Sequence, residues 1–412
     1  MTDCTYGAFM RILPTVALLT ALPLGGSLYA KDRQPDGSRP ELAEGLYAEF
    51  TTPRGVFVAE LFYQKAPLMC VNFTGLAEGT LAPKDGKPFY TGLTFYRVVP
   101  GFVIQSGNPG LKDTDDDKVA HPHRFPDEFV PGLRHDAAGV LSMANAGPDT
   151  NSCEFFLTLR DTNRLNYLHS VFGRVVRGLE VLQKIQPDDA LSIKILRRGK
   201  AARAFKADAV AFAALVAAAK KYAGPAAPGP GTFFDDPAAL LPTNVPRARN
   251  FNFKLANFER ATGVRIVARL FARSPTKEED AVPGDYMRAL AEKSGTVKRG
   301  AVAAYFADED DWRVWLSEEA ATIFLGRVAT AADLAPDGPL HQAKMAFMDA
   351  AVAAGNAEFA LQQAAAPALS STKGPAGPPA PPAPNLPNEP AQRLKLQTDA
   401  LLDGLIFKLE PK

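Results

Sequence analysis

Between Leu46 and Arg198 the sequence is cut into short apolar runs by glycines and prolines, a spacing that suits a compact β-rich unit and little else. Leu46 to Phe50 and Val56 to Phe62 flank Thr51-Thr52-Pro53-Arg54-Gly55, which has the length and chemistry of a hairpin with a glycine bulge. Six further runs have strand character: Phe95 to Val99, Phe102 to Gln105, Gly139 to Ala144, Glu154 to Leu159, Val171 to Val175 and Ile193 to Arg197. Helices are predicted from Pro67 to Ala77, with proline in the first turn where its missing N–H costs nothing, and from Leu179 to Ile185. Many strands with two helices predict a closed barrel capped at its ends.

At roughly 150 residues per domain, 412 residues leave room for more than this barrel at 46–200. Residues 201–223 are alanine-rich, with Phe205, Phe212 and Leu215 at helical spacing, and predict one helix laid against the barrel. A Pro/Gly linker follows at 224–249. Residues 250–330 alternate helix and strand (Val264 to Phe271, Ala301 to Phe306 and Trp312 to Leu316 as strands) and predict a second, small α/β domain. A helical region at 331–366, a proline-rich linker at 367–390 and an amphipathic helix at 391–412 complete the chain. Leu394, Leu401, Leu402, Leu405 and Ile406 give that last helix an apolar stripe in want of a partner, within the chain or on another protein.

Residues 1–30 have the layout of a secretory signal peptide: Arg11, an apolar stretch broken by Pro14 and Pro23, then small residues ending at Ala30, ahead of a lead at 31–45. A spanning helix needs about 20 uninterrupted apolar residues, so cleavage and export to a periplasm or the outside are expected rather than a membrane anchor. Cys4 leaves with the signal; Cys70 and Cys153 show no metal spacing and are expected to be buried thiols, with a disulfide between them the open alternative in an oxidising compartment. The formal net charge of +1 gives no electrostatic footprint for a nucleic-acid partner.

A period of two along Phe95 to Gln105 puts Arg97 on the face of Phe95 and Val99, so a permanent cation sits on an apolar strand face. Either it reaches solvent or an ion pair at the barrel rim, or its charge is used. Ser142 to Leu157 holds a loop of small and turn-forming residues between two strands, whose backbone is open to pairing with an extended peptide. These two stretches, with Pro126-Asp127-Glu128-Phe129 and Leu165 to Gly173 in the same order, resemble the signature segments of the cyclophilin family of peptidyl-prolyl cis-trans isomerases over about residues 46–199.

The resemblance implies an eight-stranded closed barrel capped by two helices, mainly β, that bears a shallow groove. It implies rotation of X-Pro bonds in unfolded or flexible proline-containing polypeptides, a reaction that calls for no metal or cofactor. Carried over by position, Arg97 would be catalytic with Gln105 as its hydrogen-bonding partner. Phe102, Val103, Phe156 and Leu165 would line the proline pocket, with His169 at its edge, and Ala144, Asn145 and Ala146 would hold the substrate backbone.

Several residues depart from the family pattern. Glu154 replaces a glutamine and should lie near the pocket, where it would pair with Arg97 and either orient or occupy it. Arg164 stands where the family has a tryptophan, and Tyr96 where it often has histidine. Asp113, Asp115 and Asp117 alternate as in a calcium loop, but Lys118 and Arg124 sit where glycine and glutamate are needed; with His121 and His123 the segment is expected to be a solvated loop. Residues 262–315 resemble the TPM family of exported α/β domains, which is a hint of fold alone. Against the enzyme stands a second possibility: a proline-peptide binding or holdase module weakened by Glu154, with the α/β domain carrying the main role.

Overall fold

The computed structural model describes residues 41–81, 87–109, 123–242, 247–370 and 389–411. The export segment, the aspartates of the 110–122 loop with His121, and the proline-dense stretch at 371–388 lie outside the described residues. Residues 43–412 form one compact unit, so the α/β layer is not a detached body.

Eight antiparallel strands make the first sheet: β1 (Gly45–Thr52), β2 (Gly55–Leu61), β3 (Arg97–Val99), β4 (Val103–Ser106), β5 (Val140–Met143), β6 (Phe155–Thr158), β7 (Val171–Arg177) and β8 (Ser192–Arg198). Their order is β3-β4-β6-β5-β7-β2-β1-β8. The barrel is therefore not closed as the sequence led us to expect: it is a curled sheet whose edge strands, β3 and β8, share no ladder. The chain just before each of them meets at a single bridge, Thr94 to Ala190. Around that bridge Phe95 N donates to Asp189 O and Leu191 N to Leu93 O, both at 3.0 Å, and the contact goes no further along β3 and β8. The first hairpin is also tighter than predicted, since Thr52 pairs with Gly55 and leaves Pro53-Arg54 as a two-residue turn. Thr52 Oγ1 fixes it by accepting from Arg54 N at 3.1 Å and donating to Gly55 O at 2.9 Å.

Helix α1 (Pro67–Glu78) closes the core, and its N-terminus is capped from outside: Glu128 accepts from Met69 N at 3.1 Å. Burial pushes the Glu128 carboxyl up to about 7. Phe73 on α1 is fully buried, with ring centroids 5.3 Å from both Phe155 and Phe172 and 5.5 Å from Tyr90. Cys70 and Cys153 are both fully buried. The short α2 (Leu179–Leu182) follows β7.

The single helix expected at 201–223 is two, α3 (Gly199–Ala204) and α4 (Ala209–Ala218), because Asp208 caps the second by accepting from the Val210 and Ala211 N–H groups. The expected linker contains β9 (Phe234–Asp235). Then come α5 (Arg247–Thr262), β10 (Arg265–Phe271), α6 (Asp285–Ser294), β11 (Gly300–Phe306), β12 (Asp311–Leu316), α7 (Glu318–Leu325), α8 (Pro339–Ser370) and α9 (Glu389–Leu409). Four of these strands pair as β12-β11-β10-β9. Helix α9 turns its apolar stripe inward: Leu401, Leu402 and Leu405 are fully buried in the core shared with α5, α7 and α8, so this chain covers that face itself. No helix among the described residues is long and apolar enough to cross a membrane.

Candidate active site

Pairing across the sheet aligns Arg97 with Gln105, Gln105 with Phe156, and Phe156 with Ser142. One row thus crosses four strands on the outer face, while Val98, Ile104, Leu157 and Leu141 point to the core. The expected companionship of Arg97 with Phe95 does not hold. Phe95 is fully buried in the core, and the regular pleat starts only at Arg97, which is exposed.

Arg97 Nη1 donates to Gln105 Oε1 at 2.9 Å. The predicted ion pair between Arg97 and Glu154 is replaced by a relay. Gln105 Nε2 donates to Glu154 Oε2 at 3.0 Å, and the same oxygen accepts from the Tyr96 hydroxyl at 2.8 Å. Asn108 Nδ2 donates to Glu154 Oε1. An amide has one acceptor end and one donor end, so a carboxylate on its nitrogen side turns its oxygen toward the guanidinium. Glu154 therefore orients Arg97 through Gln105. Burial, followed by the Glu154 charge, raises the Tyr96 hydroxyl far above its ordinary value and keeps it a donor.

Phe156 and Val103 are buried on the site face. The Phe156 ring lies 5.3 Å edge-on from His169 and stacks at 5.7 Å on His135. His135, fully buried, is bonded to Ser142 Oγ at 2.9 Å and to Asn166 Oδ1 at 3.0 Å, and so backs the pocket floor. Sequence reasoning missed His135, since it lies in a stretch with no periodic pattern. Burial lowers the imidazoles, to about 3 for His135 and about 4 for His169, so both are neutral at physiological pH. His169 Nδ1 is 3.1 Å from Met143 O, which makes that nitrogen the protonated one. On the opposite wall, Phe102 carries the Arg164 guanidinium at 4.4 Å over its ring, a cation–π contact in place of a tryptophan edge. Leu165 ends the 3-10 turn Asn163–Leu165 beside it.

The rim is already partly engaged. Ala144 N–H donates to Glu154 O at 3.0 Å and Ala146 N–H to Thr150 Oγ1 at 2.9 Å, so the N–H groups of these two residues serve the loop itself. Asn145 turns its amide inward, to Leu168 O at 2.9 Å and Asp127 Oδ1 at 3.4 Å. Behind the groove, Tyr167 is held at φ +59°, a strained setting for a tyrosine. Its hydroxyl donates to Glu410 Oε1, which lies just beyond α9. His123, the described member of the histidine pair, is bonded to Asn72 Oδ1 at 2.6 Å. Among the described residues, no three His, Cys, Asp or Glu side chains gather into a metal-holding group.

Comparison with known proteins agrees with this architecture. The family described as "Cyclophilin type peptidyl-prolyl cis-trans isomerase/CLD" matches residues 47–197. "Peptidyl-prolyl cis-trans isomerase-like 1" of Aspergillus fumigatus is 40% identical over 136 residues, 33% of this chain and 79% of its own length. "Peptidyl-prolyl cis-trans isomerase CYP18-2" of Arabidopsis thaliana is 35% identical over 171 residues, 40% of this chain and 95% of its own. The chain belongs to the cyclophilin-type peptidyl-prolyl cis-trans isomerases. It is an enzyme of class EC 5.2.1.8.

Proposed function

We propose that this isomerase is an exported folding catalyst that rotates X-Pro bonds in unfolded or flexible polypeptides, with Arg97 as the group that stabilises the twisted bond. Amide resonance sets a barrier of about 18–20 kcal/mol, and at the half-turned state the imide nitrogen becomes pyramidal and gains a lone pair. A donor aimed there gains strength only as the bond twists, so it lowers the barrier rather than merely binding substrate. The Phe102, Val103, Phe156 and Leu165 side chains would seat the proline ring while the chain on the other side turns.

The observation that carries this reading is the anchored guanidinium: Arg97 on Gln105, and Gln105 on Glu154. It disfavours the holdase alternative, because Glu154 bonds to Gln105, Tyr96 and Asn108 and leaves Arg97 to Gln105. A coupled X-Pro peptide assay tests it. Glu154→Ala is expected to lower kcat about tenfold, equivalent to about 1.5 kcal/mol for a lost charged hydrogen bond, whereas Glu154→Gln should stay close to the parent. A Glu154→Gln enzyme tenfold faster would mean instead that the carboxylate restrains Arg97.

The kcat profile should be flat from about pH 5.5 to 8, because His169, beside the ring of Phe156, charges only near 4. A kcat that changes tenfold across that range would assign the chemistry to a titrating group. Export rests on the signal-like residues 1–30; N-terminal sequencing of the cell-made protein should find a start shortly after Ala30.

A further inference from the structure

Both loops that border the groove contain a residue held at positive φ although it is not glycine: Asp149 at +57° in the rim loop and Tyr167 at +59° in the wall. Such settings are sparsely populated, more so for tyrosine than for aspartate, and last where surrounding bonds impose them. Both are bonded by the same helix outside the eight-stranded sheet. Arg260 of α5 donates through Nη1 to Asp149 Oδ1 at 2.9 Å and through Nη2 to Asp127 Oδ2 at 3.4 Å. Asp127, whose side chain is fully buried, in turn accepts from Asp149 N at 2.8 Å and from Asn151 Nδ2 at 2.7 Å, and is the inward partner of Asn145. Three residues earlier on the same helical face, Asn257 donates through Nδ2 to Tyr167 O at 2.8 Å, and the next residue, Phe258, packs edge-on against the Tyr167 ring at 5.1 Å.

We propose that α5 is a positioning element of the isomerase: Arg260 and Asn257 hold the rim loop and the pocket wall in the strained forms that receive substrate. This rests on the reading of the groove given above, and it gives the layer beyond the eight-stranded sheet a part in binding. Arg260 touches no reacting atom, so its loss should act on substrate affinity and leave the chemical step alone.

The test is kcat and KM for an X-Pro peptide in the full chain carrying Arg260→Leu or Asn257→Ala, with Arg97→Ala assayed in parallel. Each α5 variant should raise KM about fivefold or more while kcat stays within about twofold. Amide exchange at 145–151 should quicken in Arg260→Leu while the amides of β1 and β2 keep their parent rates. Should Arg260→Leu fail to fold, Arg260→Lys, which keeps the charge but loses the two-pronged contact, carries the same expectation. A parent-like KM and parent-like loop exchange in the folded variants would overturn the proposal. If the α5 variants are silent but Arg97→Ala is inactive, only the role of α5 falls. If Arg97→Ala keeps the parent kcat, the reading of the groove falls first.

Discussion

Arg97→Ala should lower kcat for X-Pro rotation by about 100- to 1,000-fold, the usual loss when one preorganised donor is removed from a developing lone pair or oxyanion. Peptide binding should survive, since the buried faces of Val103 and Phe156 are untouched. Arg97→Lys should recover only a small part of the rate. An ammonium carries the charge but cannot both lean on Gln105 and present a second N–H in a fixed plane. The decisive comparison is kcat beside the peptide dissociation constant. A variant that loses binding and turnover together would make Arg97 a binding group, and one that keeps the parent rate would remove it from the chemistry.

The second large effect is on stability. Phe73→Ala should lower the unfolding free energy by about 3–5 kcal/mol, because the ring is fully buried and a cavity would open among groups held by the sheet on one side and α1 on the other. Its neighbours Phe50, Tyr90, Phe155 and Phe172 come from four separate stretches, so no single side chain can shift to fill the gap. Denaturant melts followed by tryptophan emission would report on Trp312 and Trp315 in the other layer, so far-UV circular dichroism is the better probe. A change below about 1 kcal/mol would show that the core collapses around the loss.

What could be read from the sequence was local. Alternation and turn residues located all eight strands of the first sheet, and the proline at the start of α1 located that helix. Closure could not be read in the same way, because it depends on whether β3 and β8, nearly a hundred positions apart by their numbering, meet along a ladder or at one bridge. Periodicity failed at Phe95, which precedes the regular pleat and turns into the core, while Arg97 and Val99 share a face as expected. The break between α3 and α4 was present in the sequence as Asp208, a capping residue inside an alanine-rich run. Strand β9 is only Phe234–Asp235 and borrows its identity from β10 beside it.

The site divides along the same line. The resemblance to the cyclophilin signature segments singled out Arg97, Gln105 and Phe156, and the pairing of neighbouring strands brings the three into one row. The route from Glu154 to Arg97 was not legible, since it depends on which end of the Gln105 amide faces which partner. Nor was the bracing by Arg260 and Asn257, which lie far outside the stretch that resembles the family.

The bond between Tyr167 and Glu410 spans 243 positions of sequence. During synthesis every strand of the first sheet has left the ribosome long before that carboxylate exists. A chain clipped before Glu410 would keep every residue of the first sheet and still lose the latch on one side of its groove.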